Sequence, residues 1–278
     1  MNPEPFQPAG GLLAELTLLQ VGLDGALAHV SLNRPAKRNA MNDSLILQLQ
    51  TCLQNLPERI GCVVLSGQGA HFCAGLDLSE LRERSVAEGM MHSRMWHSAL
   101  DAVQFARVPV IVALHGAVVG GGLELASAAH IRVADDTAYY GLPEGQRGIF
   151  VGGGGSVRIS RLLGYARMAD LMLTGRVLTA QEGERYNLAQ YVVPKGEGVE
   201  RAKSLAKRIA ENASHSNWAI TNCLPRILDF SHEDGLFVES LVGGAMREGS
   251  TEGFERVKQF VEKKAAPLAK PGTSGDGR

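Results

Sequence analysis

The sequence has little cysteine and no excess of charge of either sign. Its 278 residues include four cysteines, which form neither a CxxC pair nor any other metal-binding spacing: Cys52, Cys62, Cys73 and Cys223. We therefore expect free thiols in a reducing compartment. The 28 Lys and Arg residues nearly balance the 29 Asp and Glu residues, giving a net charge of −1 with no block of like charge. This balance argues against a nucleic-acid or membrane-surface partner.

Long apolar runs and targeting signals are also absent from the sequence. No apolar run is long enough to span a bilayer. The first residues, MNPEPFQPAGGLLAEL, have neither the basic start and apolar centre of a signal peptide nor the arginines of a transit peptide. A cytoplasmic protein is the expectation, and the length allows one large domain or two small ones.

The stretch at residues 109–124, PVIVALHGAVVGGGLE, is the one around which the rest of the chain is organised. Residues 110–114 form a short apolar run typical of a buried strand, three glycines follow, and residues 123–129 favour a helix. A helix that starts at glycine exposes unpaired N–H groups, which suit a developing negative charge on a ligand. Glu124 lies in the first turn as a possible proton carrier. Close packing of a strand on a helix would explain the same glycines, so both interpretations stay open here.

A second stretch repeats this order of strand, glycine turn and helix. A buried strand at residues 62–65 leads into GQGAHFCAGLDL at residues 67–78, and we predict a helix over residues 78–84 with Asp77 near its start. The remaining strands are predicted at residues 17–21, 26–32, 131–134, 138–141 and 191–193. Helices are predicted after the Asn42 or Asp43 cap, around Arg158, and after the capping box of Thr179 and Glu182. This alternation predicts an α/β fold.

Two further features follow the central stretch. The turn at residues 142–144 puts a second acid, Glu144, just after a strand. Residues 152–155 are four consecutive glycines before a helix, without the Gly-Lys-Ser/Thr of a mononucleotide loop or the dinucleotide spacing. We interpret this run as a flexible, closely packed turn.

The character of the chain changes near residue 195. Residues 1–195 are predicted to form the α/β core, residues 196–264 to be helical, and residues 265–278, which are rich in small and polar residues, to be a disordered tail.

Five short motifs, taken in order, resemble the crotonase (enoyl-CoA hydratase/isomerase) superfamily. They are LNRP at residues 32–35, FCAGLDL at 72–78, HGAVVGGGLE at 115–124, GLPE at 141–144 and FVEKK at 260–264. The resemblance implies a spiral of strand–strand–helix units that carries the acyl-CoA site. It also implies a C-terminal helical region that builds homotrimers, which often pair into hexamers.

The resemblance also implies the chemistry of the site. The family holds a thioester enolate with two backbone N–H groups, which fall here on Leu76 and Gly121. Its hydratases use two glutamates, which fall on Glu124 and Glu144. Because isomerases commonly keep only the acid that matches Glu144, the pair favours an enoyl-CoA hydratase, with coenzyme A as part of the substrate. Neither a metal nor a nicotinamide is implied.

The same resemblance indicates where the coenzyme A portion of the substrate would bind. Its adenine and phosphates would lie near the loop of Lys37 and Arg38 and the turn at residues 74–78, with residues near the C-terminus contributing from a neighbouring subunit. The implied binding residues are Lys37, Arg38, Ala74, Asp77, Leu78, Phe260 and Lys263. Ordinary solvated charge is an equal explanation for the three basic side chains.

Some positions depart from the family pattern. His130 stands where many members have Asp, and we interpret both His130 and His115 as structural histidines. Val151 stands where hydratases frequently have Pro, which points to an unusual branched or aromatic acyl group. A Δ3,Δ2-enoyl-CoA isomerase and a hydratase-lyase remain alternatives, as does a CoA-binding interaction protein without turnover. An unneeded buried carboxylate would be costly in the last of these.

Overall fold

Two mixed β-sheets and a set of helices make up the fold, which is an α/β fold as the sequence predicts. The structure is a computed structural model that describes residues 6–80, 82–248 and 251–262. The chain divides into two compact units, Met1–Ala210 and Glu211–Arg278. This division falls later in the chain than the predicted one at residue 195. The predicted tail at residues 265–278 lies outside the described residues.

The larger sheet has seven strands in the order β1-β2-β3-β4-β5-β7-β10. Its strands are β1 (Gln7–Pro8), β2 (Leu19–Asp24), β3 (Leu27–Leu32), β4 (Cys62–Gly67), β5 (Val110–Leu114), β7 (Ile131–Asp135) and β10 (Tyr191–Val193). The first three pair antiparallel, and β3, β4, β5, β7 and β10 run parallel to one another. The carboxyl ends of β4 and β5 therefore lie at the same edge of the sheet, so the two glycine turns that follow them come close together.

The smaller sheet has three strands, β6 (Ala117–Val119), β8 (Tyr139–Gly141) and β9 (Val177–Thr179). Strand β6 pairs parallel with β8, and β8 pairs antiparallel with β9. Because β6 precedes the central glycines and β8 precedes Glu144, their parallel pairing brings Glu144 towards the glycine turn.

The described residues of the first unit form seven α-helices. They are α1 (Asp43–Gln54), α2 (Val86–Gln104), α3 (Gly121–Ala128), α4 (Gly155–Leu163), α5 (Tyr165–Thr174), α6 (Ala180–Arg185) and α7 (Gly198–Ala210). The Asn42 side chain caps α1, as predicted, and Thr179 and Glu182 form the predicted capping box of α6. The part of this unit that the structure describes also has four short 3-10 helices: Gly11–Glu15, Pro35–Lys37, Leu78–Glu80 and Gly145–Arg147.

The central parallel strands β4 and β5 are buried on both faces. On β4, Val63 and Leu65 belong to the main core, while Cys62 and Val64 point to the other face and pack with residues of α7. This alternation follows from the two-residue period of a strand. Each fully buried large apolar side chain contributes about 1.5–3 kcal/mol to stability.

The second unit contains α8 (Ser214–Asn222), α9 (Leu224–Ile227), α10 (His232–Glu248) and α11 (Thr251–Val261). Many of its large apolar side chains are exposed, among them Trp218, Leu228, Phe237, Leu241, Phe254 and Phe260. Within the described ranges, no helix of either unit has the length and apolar character needed to cross a membrane.

The structure corrects one predicted element next to the site. The helix predicted over residues 78–84 is wrong: a 3-10 turn covers Leu78–Glu80, residues 82–85 are irregular, and the α-helix begins only at Val86.

All four cysteines are free, and burial raises the pKa of the Cys52, Cys62 and Cys73 thiols to about 12. These thiols are therefore not reactive nucleophiles at neutral pH.

Candidate active site

A cavity of about 400 Å³ lies between the two glycine turns and helix α2. Its floor comes from the turn after β4 and from the start of α3, and one wall comes from the segment between Glu144 and Gly153. Helix α2 supplies the facing wall with Gly89, His92, Ser93 and Trp96. Backbone amides, carboxylates and apolar groups therefore line one space of the size expected for a small-molecule site.

Two backbone N–H groups, those of Leu76 and Gly121, lie at the floor of this cavity. Among the described residues, neither Leu76 nor Gly121 has an acceptor for its N–H. The two groups are close, because a Cβ built on Gly121 would lie 3.6 Å from the Leu76 nitrogen. Gly75 at φ +101° and Gly120 at φ +53° turn the backbone ahead of each N–H, conformations that glycine adopts easily. Paired donors of this kind can hold an oxyanion.

Glu124 lies in the first turn of α3 and is only 5% exposed. Its Oε1 accepts hydrogen bonds from the N–H groups of Gly153 and Gly155, both at 2.8 Å. Burial raises the pKa of Glu124, while these two N–H donors and the nearby Arg158 guanidinium act in the opposite direction. The carboxylate form of Glu124 thus has fixed partners despite its burial.

Glu144 follows β8 and is similarly buried, at 6% exposed. Its Oε2 has no hydrogen-bond partner among the described residues. Burial is the main cause that raises the pKa of Glu144, and the negative charge of Glu124 raises it further, while a hydrogen bond from its own backbone N–H and the charge of Arg147 lower it. Two buried carboxyl groups that influence each other favour a state in which one of them keeps its proton.

The turn that carries Leu76 is held in place by Asp77. The Arg34 guanidinium donates to Asp77 Oδ2 at 2.9 Å, and the Ser79 N–H and hydroxyl donate to Oδ1 at 3.2 and 2.6 Å. The Ser79 hydroxyl is the largest of the effects that lower the pKa of Asp77 to about 2. Asp77 therefore has its charge satisfied by protein groups, and its predicted contact with coenzyme A stays a prediction.

The remaining predicted binding residues are spread over the surface. Leu78 lines the cavity and is exposed, and Ala74 is partly exposed in the same turn. Lys37 and Arg38 are exposed, with Arg38 in the left-handed conformation at φ +52°, and the Lys37 ammonium lies 3.4 Å from the Ser79 hydroxyl. Phe260 is exposed on α11 in the second unit, and Lys263 lies outside the described residues.

Several cavity residues were missed by the sequence analysis, which predicted no helix over residues 86–104. Asp43 Oδ1 accepts hydrogen bonds from His92 Nε2 at 2.7 Å and Trp96 Nε1 at 2.9 Å, so one carboxylate fixes both rings. The Ser93 hydroxyl donates to the Gly152 carbonyl oxygen at 2.7 Å. The capping box of Ser85 and Glu88 was the available signal for this helix.

The two histidines interpreted as structural make contacts with the backbone. His130 Nδ1 accepts the Val110 N–H at 2.8 Å, and its Nε2 lies 2.9 Å from the Gln104 carbonyl oxygen. His115 Nε2 lies 3.1 Å from the Gly69 carbonyl oxygen.

In the part of the chain that the structure describes, no group of three His, Cys, Asp or Glu side chains is arranged to hold a metal ion.

The sequence matches a known family over most of its length. A sequence model described as enoyl-CoA hydratase/isomerase matches residues 22–270. An enoyl-CoA hydratase of Mycobacterium tuberculosis is 31% identical over 248 residues, which cover 85% of this chain and 90% of that protein.

Solved structures agree with this match. A candidate enoyl-CoA hydratase from Rhodopseudomonas palustris is 51% identical and superposes with a TM-score of 0.86, covering 90% of this chain and 96% of the other. An enoyl-CoA hydratase from Bacillus anthracis is 30% identical with a TM-score of 0.82, over 88% of this chain and 96% of the other.

Proposed function

The chain belongs to the enoyl-CoA hydratase/isomerase family, and from this premise we propose that it adds water across the double bond of a 2-enoyl-CoA to give a 3-hydroxyacyl-CoA. The observation that carries the proposal is the pair of buried glutamates, Glu124 and Glu144, which line one cavity with two unpaired backbone N–H groups.

The two N–H groups supply the electrostatic part of the reaction. When water adds to the β carbon, negative charge moves through the α carbon to the thioester oxygen. Donors fixed by Leu76 and Gly121 stabilise that charge in the transition state more than they stabilise the neutral thioester. One such donor is typically worth about 3 kcal/mol in the barrier.

The two glutamates divide the proton transfers. Glu124, whose Oε1 is held by two N–H donors, acts as the carboxylate that accepts a proton from the attacking water. Glu144, whose Oε2 has no donor in the described part of the chain, carries the proton that the α carbon receives. One proton is taken and one is given, so the product contains the whole water molecule. A proton passing from Glu124 to Glu144 restores the starting state.

The presence of both acids favours hydration over isomerisation of the double bond. A shift of the double bond moves one proton between two carbons and needs a single acid/base group, for which Glu144 would suffice. Replacing Glu124 with Ala therefore separates the two reactions. A hydratase loses activity by orders of magnitude, whereas an isomerase loses much less.

The test follows the absorbance of the conjugated enoyl thioester. Crotonyl-CoA, a longer enoyl-CoA and an aromatic enoyl-CoA are mixed with wild-type protein, Glu124→Ala, Glu144→Gln and the control Glu58→Gln, which changes an exposed glutamate. We expect rapid loss of absorbance with wild type and the control, and a loss of rate of about 100-fold or more in both site variants.

Two outcomes would contradict the proposal. If no enoyl thioester loses its absorbance although acyl-CoA binding is measurable by calorimetry, the hydratase assignment is wrong. If a 3-enoyl-CoA is converted at the same rate by wild type and Glu124→Ala, the isomerase alternative is correct.

A further inference from the structure

The four-glycine run at residues 152–155 is organised by one buried side chain, Arg158 of helix α4. Its Nη1 donates to the Gly153 carbonyl oxygen at 2.9 Å. Gly154 adopts φ +99°, and a Cβ at this position would lie 2.3 Å from the same Nη1. The run is therefore packed closely around the guanidinium, in agreement with the closely packed turn that the sequence suggested.

The other side of the Arg158 guanidinium is attached to the end of helix α2. Its Nε donates to Gln104 Oε1 at 2.5 Å, and its Nη2 forms an ion pair with Asp101. The arginine is 8% exposed, whereas its partner Asp101 is half-exposed. The planar guanidinium of an arginine has donors in fixed directions, so it can link helix α2 to Gly153 more rigidly than the flexible ammonium of a lysine.

The loop fixed in this way is the one that holds Glu124. Gly153 offers its carbonyl oxygen to Arg158 and its N–H to Glu124 Oε1, so one residue joins the arginine to the carboxylate. Gly155 supplies the second N–H to the same oxygen. We propose that Arg158 is a positioning residue. It holds the four-glycine run at residues 152–155 against Glu124 and keeps this glutamate in its carboxylate form.

The charges around Glu124 support this role. Arg158 and His97 both favour the carboxylate form of Glu124. The charge of Glu124 in turn raises the pKa of Glu144, and Asp101 forms an ion pair with Arg158. Burial raises the pKa of Glu124, and the loop N–H groups and Arg158 oppose that rise. Without Arg158, the N–H groups of Gly153 and Gly155 would lose their fixed geometry, and one positive charge near Glu124 would be lost. Both changes would raise the pKa of Glu124.

The inference rests on the proposed hydration, in which Glu124 must be ionised to accept the proton of water. The experiment compares Arg158→Gln, Arg158→Lys and the control Arg161→Gln, which changes an exposed arginine on the same helix. The pH profile of kcat/KM with crotonyl-CoA is measured for each, together with kcat, KM and thermal unfolding. The titration of Glu124 is followed separately by carbon-13 NMR in ligand-free protein, with Glu124→Gln to assign the signal.

For Arg158→Gln we expect the acidic limb of the profile to move to higher pH by about one unit. We also expect kcat to fall about 100-fold, because small misplacements of a catalytic group have effects of this size. Arg158→Lys keeps the positive charge but loses the fixed guanidinium donors. The acidic limb of its pH profile should therefore lie between those of wild type and the Gln variant. Arg161→Gln should behave as wild type.

An unmoved acidic limb and an unmoved NMR titration in a folded Arg158→Gln variant would overturn the inference, even if kcat fell. If the Gln variant does not fold, wild-type kcat and pH profile in Arg158→Lys would overturn it instead. Should wild type hydrate no enoyl thioester, the proposed function fails, while the NMR titration still decides whether Arg158 controls the protonation of Glu124.

Discussion

Glu124 and Glu144 are the same residue type at similar burial, yet their surroundings differ. Glu124 Oε1 accepts two backbone N–H groups from the glycine run at residues 152–155. Glu144 Oε2 has no partner among the described residues, and the backbone N–H that lowers the pKa of Glu144 is its own. Hydrogen bonds to a carboxylate favour its charged form, and burial without them favours the neutral form. The direction of proton transfer that we propose follows from this difference in environment.

This difference predicts how stability changes with pH at Glu144. Its pKa is raised in the folded protein, so the native state binds more protons than the unfolded state above the unfolded pKa of 4.5. The free energy of unfolding therefore falls as pH rises from 4.5 through the native pKa. Glu144→Gln removes this loss, and we expect it to be more stable than wild type at pH 8.

Urea denaturation at pH 4, 6 and 8 measures this effect, with Glu58→Gln as an exposed control. The advantage of Glu144→Gln should shrink towards pH 4, where the carboxyl is protonated in both states. A variant that is less stable than wild type at pH 8, or equally stable at all three values, would contradict the prediction.

Lys37 and Arg38 carry a second prediction, on the coenzyme A portion of the substrate. The double variant Lys37→Ala with Arg38→Asn removes both charges, and Asn tolerates the left-handed backbone at position 38. We expect KM to rise about 10-fold with kcat nearly unchanged, because exposed ion pairs contribute up to about 1 kcal/mol each to binding. The rise should diminish at high salt.

Steady-state kinetics at low and high ionic strength check this prediction, with Lys207→Ala as an exposed control. An unchanged KM would mean that the two charges are simply solvated. A fall in kcat instead would place the loop closer to the reacting atoms than we propose.

At the scale of single residues, the sequence could identify the motif residues of the site but not their partners. Glu124 and Gly121 lie within one recognisable motif, and the structure puts both in the cavity. The contact of Gly153 with Glu124 joins residues 29 positions apart, and nothing in the glycine run itself indicates a carboxylate partner. Such pairings depend on how α3 and α4 pack.

The position of helix α3 depends on Gly122, which has no side chain. A Cβ on Gly122 would lie 2.3 Å from the Cys73 carbonyl oxygen and 2.9 Å from the Cys73 Cβ. A distance this short requires the backbone to shift. The helix start and the turn that carries Leu76 therefore approach as closely as they do because position 122 is glycine.

Replacing two glycines in different helices tests this account. Gly122→Ala should destabilise the protein by about 2 kcal/mol or more and lower kcat, because the two N–H groups move apart. Gly89→Ala in α2, where a Cβ meets nothing within 4 Å, should stabilise it by about 0.5–1 kcal/mol. Thermal unfolding and kcat of both variants provide the measurement, and equal stability changes would contradict the packing argument.

The wrong prediction at residues 78–84 has a local physical cause. Residues such as Glu, Leu and Arg favour a helix, but Asp77 accepts two hydrogen bonds from Ser79 and one from Arg34, which holds the chain in a turn. Side-chain bonds of this kind compete with helix formation. The true start lies at the capping box of Ser85 and Glu88.

At the scale of the whole molecule, alternation of strands and helices was enough to predict the α/β class. The order of strands in the larger sheet was not predictable in this way. Strands β6, β8 and β9 lie between its strands in the sequence but form a second sheet. Helix α7 follows the predicted end of the α/β core at residue 195 but belongs to the first compact unit. Its residues resemble the helices that follow, but Ala202, Leu205 and Ala206 pack with the strands of the larger sheet.

The exposed apolar side chains of the second unit lead to the last prediction. Large apolar patches on a surface mark contacts with other molecules, and the family resemblance implies self-association, so we propose that α10 contributes to a homotrimer. Phe237→Glu puts a charge among the exposed apolar residues of this helix. We expect it to convert a trimer or hexamer into smaller species, as measured by light scattering after gel filtration. Glu239→Lys lies about 200° away around the helix and should keep the wild-type mass. A wild-type protein that is monomeric, or a Phe237→Glu variant with unchanged mass, would contradict a role for this face in assembly.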